Sequence, residues 1–159
     1  MKKLRIYLDT SVINFVFADD APDFMHATIE FFEDHSVLYD LYVSNVVLLE
    51  IDRTSDPEHR QRLHVVLAEH DIFVLPDDNA DEVRDLAQRY IERGIIPKSK
   101  IEDAMHVAYA TVHEMDVLLS WNFRHLANLK KEASVVAVNM EEGYWHPLRL
   151  VSPLEVMNE

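Results

Sequence analysis

Leu4-Arg5-Ile6-Tyr7-Leu8-Asp9-Thr10-Ser11 is the stretch whose reading decides the architecture. Ile6, Tyr7 and Leu8 make a short apolar run of strand type, and Asp9 ends it abruptly. Thr10 and Ser11 suit the opening of a helix. The same alternation of short apolar runs and longer helical stretches continues outward from this joint. A longer helix is expected near Pro22, running through Phe31 and Phe32. Residues 41–43 read as a second strand, followed by helices over residues 46–53 and 57–69. Residues 72–75 read as a third strand, closed by Pro76. Residues 78–93 read as a helix ending at Gly94, a good terminator. Residues 99–113 follow as a helix, residues 117–120 as a fourth strand and residues 135–138 as a fifth. Such an order predicts an α/β fold with a mainly parallel, five-stranded sheet and helices on both faces. Sheets of this kind bind ligands at the carboxyl ends of their strands, which is where Asp9 falls.

The chain has 159 residues, and roughly 100–200 residues is the usual size of one domain, so a single domain over residues 1–159 is expected. Apolar residues make up 48%, enough for a sizeable core and too many for a disordered chain. Cysteine is absent, which removes disulfides, thiolate zinc sites and cysteine nucleophiles together. No apolar run approaches the ~20 residues of a membrane span. The basic start, Met1-Lys2-Lys3-Leu4-Arg5, leads into an apolar run that Asp9 cuts short of the ~7–15 residues a signal peptide needs. A cytoplasmic protein without a membrane partner is the expectation. The net charge of -14 argues against a general nucleic-acid binder. It does not exclude an enzyme acting on nucleic acid, because bound metal ions invert the local sign of their carboxylate ligands. The two glycines, Gly94 and Gly143, are too few for any glycine-rich phosphate loop.

Three acids carry the chemistry. Asp9 can serve a site at the end of the first strand or simply cap the next helix. Glu50 is the only charge in Val46-Val47-Leu48-Leu49-Glu50-Ile51, and it shares a helix face with Val43, Val46 and Val47. A carboxylate on such a face needs a partner or a metal; the bland alternative is a rim pair with Arg53. Asp103 follows Glu102 in Ser99-Lys100-Ile101-Glu102-Asp103-Ala104. Ser99 and Glu102 match a capping box, which gives Glu102 a structural role. Asp103 lies off the stripe Ile101, Met105, Ala108, Val112 and Met115, where it can join a site or compensate the helix dipole. Two carboxylates ~4 Å apart repel by about 4 kcal/mol at an effective dielectric of 20, so a fold gathers them only around a cation. Oxygen ligands without cysteine suit Mg2+ or Mn2+, and such ions favour phosphodiester chemistry.

Leu8-Asp9-Thr10-Ser11, the acid within Val47-Leu48-Leu49-Glu50-Ile51, Asp103-Ala104-Met105-His106-Val107-Ala108-Tyr109-Ala110 and Val117-Leu118-Leu119-Ser120-Trp121-Asn122 together resemble the PIN-domain family. The resemblance covers nearly the whole chain. It implies a three-layer α/β/α sandwich and a Mg2+- or Mn2+-dependent ribonuclease. Members are commonly the VapC-type toxin of a type II toxin–antitoxin pair, with an antitoxin protein as partner, RNA as substrate, and often a homodimer. By the same resemblance Asp9, Glu50 and Asp103 are metal ligands and catalytic residues, and Asn122 is a fourth catalytic candidate that would position the water or a weak second ion. The family usually carries a fourth acid where Asn122 stands here. Asn keeps a carbonyl oxygen but loses a full charge, so a second metal would bind more weakly. Asp116 is a poor substitute, because it precedes the fourth strand and so lies at its opposite end.

Secondary candidates surround these residues. Thr10, Ser11 and Ser120 can line the site, and His125 and Arg124 can meet substrate. Arg53, Lys98, Lys100, Lys130 and Lys131 are further candidate phosphate contacts or plain surface charges. His106 shares a helix face with Asp103, but a packed or half-exposed histidine explains it better. Tyr144 and Trp145 can stack a base or cover the core edge. A related reading keeps the fold without catalysis, as a binding module lacking the fourth acid. Phosphatases of the haloacid-dehalogenase type need Asp-x-Asp where this chain has Asp9-Thr10-Ser11, and receiver domains need acids in a different order from Leu75-Pro76-Asp77-Asp78.

Overall fold

A computed structural model describes residues 2–157. Five strands form the sheet: β1 (Leu4–Leu8), β2 (Tyr39–Val43), β3 (Phe73–Val74), β4 (Val117–Leu119) and β5 (Arg149–Val151). Their order is β3-β2-β1-β4-β5, and every pairing is parallel. Eight α-helices connect them: α1 (Thr10–Asn14), α2 (Pro22–Glu30), α3 (Asn45–Asp52), α4 (Pro57–Glu69), α5 (Ala80–Glu92), α6 (Ile101–Val112), α7 (Leu129–Glu141) and α8 (Pro153–Met157). The result is the expected three-layer α/β/α sandwich.

The strand order reverses direction between β1 and β4, and that is the point at which an open parallel sheet leaves a crevice at its carboxyl edge. β1 lies at the centre with Ile6, Tyr7 and Leu8 fully buried. An all-parallel sheet covered on both faces demands such continuous apolar strands. On one side α1, α3 and α4 pack together; α5, α6 and α7 form a second group, with α3 touching α6. α6 is buried around most of its circumference, including Ala104 and every residue from His106 to Thr111. The stripe expected from Ile101 to Met115 is therefore not its buried face, and Ile101 itself is exposed.

The expected fifth strand is a correction. Residues 135–138 lie inside α7, where Val135, Val138 and Asn139 are buried at helical spacing. Asn128 caps this helix by accepting from the Lys131 N–H at 2.8 Å, and a glycine closes it, so the β-branched valines are overruled by both ends of the segment. The true fifth strand, Arg149–Val151, pairs with β4 after Pro147. Phe31–His35 continues α2 as a wider helical turn. Three-residue turns of tighter helix occur at Phe15–Phe17, Ser36–Leu38 and Lys98–Lys100.

Three helices stop in the same way. Gly94 (φ 72°) donates to the Ile91 carbonyl while Ile95 donates to Tyr90, and Gly143 (φ 89°) donates to Met140 while Tyr144 donates to Asn139. This paired pattern satisfies the last carbonyls and requires a left-handed residue at its centre. Both glycines of the chain serve that purpose. At the end of α6 the same pattern is built on Glu114 (φ 56°), with Glu114 donating to Thr111 and Met115 to Ala110. At the end of α4 only the outer bond forms, Ile72 donating to Leu67 around Asp71 (φ 52°). A side chain in that region costs about 1–2 kcal/mol, partly offset by glycine's larger unfolded entropy of about 0.5–1 kcal/mol. Glu114→Gly should therefore stabilise the fold by about 0.5 kcal/mol, seen as a higher urea midpoint with an unchanged slope.

Candidate active site

The crevice between β1 and β4 receives Asp9. Leu8 pairs with Leu119, and the Asp9 N–H donates to the Leu119 carbonyl at 3.2 Å, so Asp9 and Ser120 leave the sheet side by side. The Asp9 side chain is 3% exposed. Ser11 Oγ donates to its Oδ1 and Ser120 Oγ to its Oδ2, each at 2.5 Å. The Val12 N–H is farther, at 3.4 Å, so the helix-capping role is the weaker of its contacts. Burial raises the Asp9 pKa, against the opposing pull of the His106 charge and the two hydroxyls.

Glu50 enters from α3. Its Oε1 accepts from Thr10 Oγ1 at 2.9 Å and lies 2.6 Å from His106 Nε2. On the far side of the imidazole, Nδ1 lies 2.6 Å from the Tyr7 hydroxyl, which is in turn 2.6 Å from Ser44 Oγ. Ser44 caps α3 by accepting from the Val46 N–H at 3.2 Å. The bonds therefore close a ring from β1 through α6 to α3 and back to the start of α3. His106 is 2% exposed. Burial alone would lower its pKa, but the bond and charge of Glu50, then Asp9 and Asp103, hold it above its ordinary value. Burial would raise the Glu50 pKa, yet the His106 contacts hold it below. The two shifts point the same way: the contact between Glu50 and His106 favours the charged form of each.

Asp103 stands half-buried in the first turn of α6. Burial raises its pKa first; His106 opposes, and the Asp9 and Glu50 charges raise it further. The three acids thus share one field, with His106 as the counter-charge buried among them. Asn122 Nδ2 donates to Asp103 Oδ2 at 3.4 Å, while its Oδ1 accepts from the His125 N–H at 3.0 Å. Asn122 reaches the site through its amide nitrogen, and its oxygen holds the turn after β4. Among the described residues, hydrogen bonds to Glu50 fall only on Oε1 and that to Asp103 only on Oδ2. Each keeps an oxygen open to a cation. No three Asp, Glu or His side chains among the described residues are gathered tightly enough to form a finished cation cage. Oxygen donors of like charge, incompletely compensated, are nevertheless the ligand chemistry that hard divalent ions take.

The remaining candidates sort clearly. Thr10, Ser11 and Ser120 touch the acids directly. Arg124 is exposed and His125 half-buried on the turn beyond Asn122. Arg53 pairs with Glu102 at 2.6 Å rather than with Glu50. The capping box at Ser99 is a second correction. Pro97 starts a tight turn, its carbonyl accepting from the Lys100 N–H at 2.8 Å. That moves the helix boundary to Lys100, which has no side-chain cap bond. Tyr144 and Trp145 lie beyond α7 near the amino end of β5; Tyr144 bonds Glu82, and the adjacent His146 bonds Asp116. Asp116 also accepts from the Arg5 N–H at the start of β1, so it does sit at the end of the sheet away from Asp9. His106, Tyr7 and Ser44 are the residues that sequence reading underrated. The signal for His106 was available: it interrupts the apolar run Ala104-Met105-His106-Val107-Ala108, as Glu50 interrupts another, and the two answer each other. A cavity of about 590 Å³ lies between α2 and α4 and is lined by residues such as Val16, Phe17, Phe32 and Val65. None of the three acids lines it, so the assignment rests on side-chain chemistry rather than on concavity.

The Glu50–His106 pair has a pH signature in chelator. Glu50, lowered from 4.5, contributes above that value; His106, raised from 6.5, contributes fully below 6.5 and loses its share as pH rises through its folded pKa. His106→Leu should therefore cost about 1–3 kcal/mol near pH 6. The gap from the unmutated protein should narrow toward pH 9 in urea titrations. A gap that does not change with pH contradicts the charged pair.

Comparisons with known proteins bear on the family and the fold. The family described as PIN domain matches residues 6–131. No curated protein matches significantly. Among solved structures, VapBC2 from Rickettsia felis bound to a DNA fragment from their promoter is similar, with a TM-score of 0.54 and 14% identity over 76% of this chain and 90% of that one. At that identity the likeness speaks for the fold. The family match spans most of the chain and includes Asp9, Glu50, Asp103 and Asn122: this protein belongs to the PIN-domain family, whose members are generally nucleases.

Proposed function

We propose that the protein is a metal-dependent endoribonuclease that hydrolyses RNA phosphodiester bonds, with Asp9, Glu50 and Asp103 holding Mg2+ or Mn2+. The supporting observation is the gathering at the carboxyl edge of the sheet: Asp9 beside Ser120 at the end of β1, Glu50 of α3 bonded to Thr10 and to the buried His106, and Asp103 of α6 bonded to Asn122. A bound divalent ion would lower the pKa of a water and stabilise charge building on the phosphoryl group. The chain's own residues prepare that site. Ser11 and Ser120 hold Asp9 in place by donating to both its oxygens. His106 keeps Glu50 ionised and directs one oxygen away from the ligand side. Asn122 restrains Asp103 by a hydrogen bond and contributes no charge. In this reading the enzyme is cytoplasmic, forms a homodimer and acts as the toxin of a type II pair with an antitoxin protein; the fold likeness to Rickettsia felis VapBC2 supports that setting. Among the described residues, no helix is long and apolar enough to cross a membrane.

A second reading rests on Asn122, whose oxygen is already engaged by His125. There the domain binds nucleic acid or protein without cutting. Cleavage assays on single-stranded RNA separate the two. Mg2+- or Mn2+-dependent product is expected from the unmutated protein, with a loss of at least about 100-fold in Asp9→Asn and in Asp103→Asn. Thermal melts of both variants in chelator should be unchanged or raised, because each removes one member of a repelling set. Retained activity in either variant rejects the assignment. Absence of product from the unmutated protein selects the second reading.

A further inference from the structure

The turn after β4 carries more than Asn122. Trp121 is buried, and its Nε1–H donates to Thr28 Oγ1 at 2.9 Å. Phe15 stacks on its inner side at 6.0 Å between centroids and 16° between planes. Phe24 lies 4.8 Å from the Trp121 ring, and Phe123 lies 6.0 Å from Trp121 and 6.1 Å from Phe24. Phe24 and Phe123 are 39% and 44% exposed. This apolar surface is thus held from behind by a fixed indole. It adjoins the acids covalently and by hydrogen bonds: Asn122 separates Trp121 from Phe123, and the Trp121 N–H donates to the Ser11 hydroxyl that holds Asp9.

Charge distinguishes its occupant. In a chain of net charge -14, Arg124, Lys100 and Lys131 lie close enough to His125 for their charges to act on it. Flat aromatic faces beside gathered cations fit a nucleotide, base on ring and phosphate on cation, better than an aliphatic protein surface. We propose that Phe24 and Phe123, backed by Trp121, form a stacking platform for an unpaired base of single-stranded RNA next to the carboxylates, with Lys100 and Arg124 meeting the flanking phosphates, while Lys131 is held by the Ile95 carbonyl. The proposal rests on the nuclease reading, and what it adds is the residues that would hold the base.

Trp145→Phe leaves Trp121 as the single tryptophan, and Asp103→Asn keeps RNA intact. In this background an eight-nucleotide single-stranded RNA should quench Trp121 fluorescence. The same sequence as a duplex should bind at least tenfold more weakly. Phe123→Leu, which keeps bulk but loses the aromatic face, should weaken binding about tenfold, and Phe24→Leu likewise; Phe123→Tyr should restore affinity to within twofold of the parent. Arg124→Ala should lower the slope of log affinity against log salt by about one. Leucine variants within twofold of the parent, or equal binding of duplex, overturn the platform. So does a leucine variant that changes the oligomeric state without changing RNA affinity, since the patch would then be covered by protein. With the acids intact, Phe123→Leu should raise KM about tenfold with a much smaller change in kcat. An unchanged KM removes the platform and leaves the nuclease standing. Phe123-dependent binding by a protein that cuts no RNA supports the platform and removes the nuclease.

Discussion

The ion pair between Glu50 and His106 joins α3 to α6 on the buried side of their junction, where Arg53 and Glu102 pair on the exposed side. Either group alone would be a costly occupant of that interface. Together, and with Tyr7 extending the contact to Ser44, they are satisfied. Ser44 also starts α3, so the ring of bonds that positions the Glu50 carboxylate fixes the helix carrying it. A polar network that includes the cap of its own helix sets where α3 begins relative to β1. The carboxyl edge of the sheet depends on that register, because Asp9 leaves β1 two residues beyond Tyr7.

The electrostatics of the edge follow from the same pair. His106 compensates Glu50 fully and reaches Asp9 and Asp103 only through space. Asp9 has hydroxyl donors instead of a cation, and Asp103 has an amide at long range. Each carboxylate therefore meets a different degree of compensation, least at Asp103. Elsewhere the chain disposes of its acids conventionally: Glu102 with Arg53, Glu132 with Arg149, Glu142 with Arg89. The surplus charge that matters is the small part the fold has buried.

Much of this was legible beforehand because it is written locally. The strand before Asp9, the glycine stop at Gly94, and the isolated charge of Glu50 are each set by neighbours in sequence. The strand order itself was not readable, though alternation of strands and helices indicated a parallel sheet. Residues 135–138 misled because valine favours strands, and the deciding cap at Asn128 and stop at Gly143 lie several residues outside the run. Ser99 and Glu102 misled because Pro97 had already begun the turn. The ring through Tyr7, Ser44 and His106 spans residues up to 99 positions apart, a relation no local pattern carries. Tyr90, Thr111 and Asn139 form a second buried polar cluster, between α5, α6 and α7, for the same reason.

Both glycines lie at helix stops, and none occurs in the connections after β1, β2 or β4 that carry Asp9, Ser44 and Asn122. Those connections are instead held by their own side chains, through Ser11, Ser44 and the Asn122 oxygen. A site assembled in this manner has no hinge of the usual kind. Its ordering entropy is lost when the chain folds, not when a ligand arrives. Whatever the carboxylates receive meets a field already oriented, and selectivity must come from the fit of the arriving molecule rather than from closure around it.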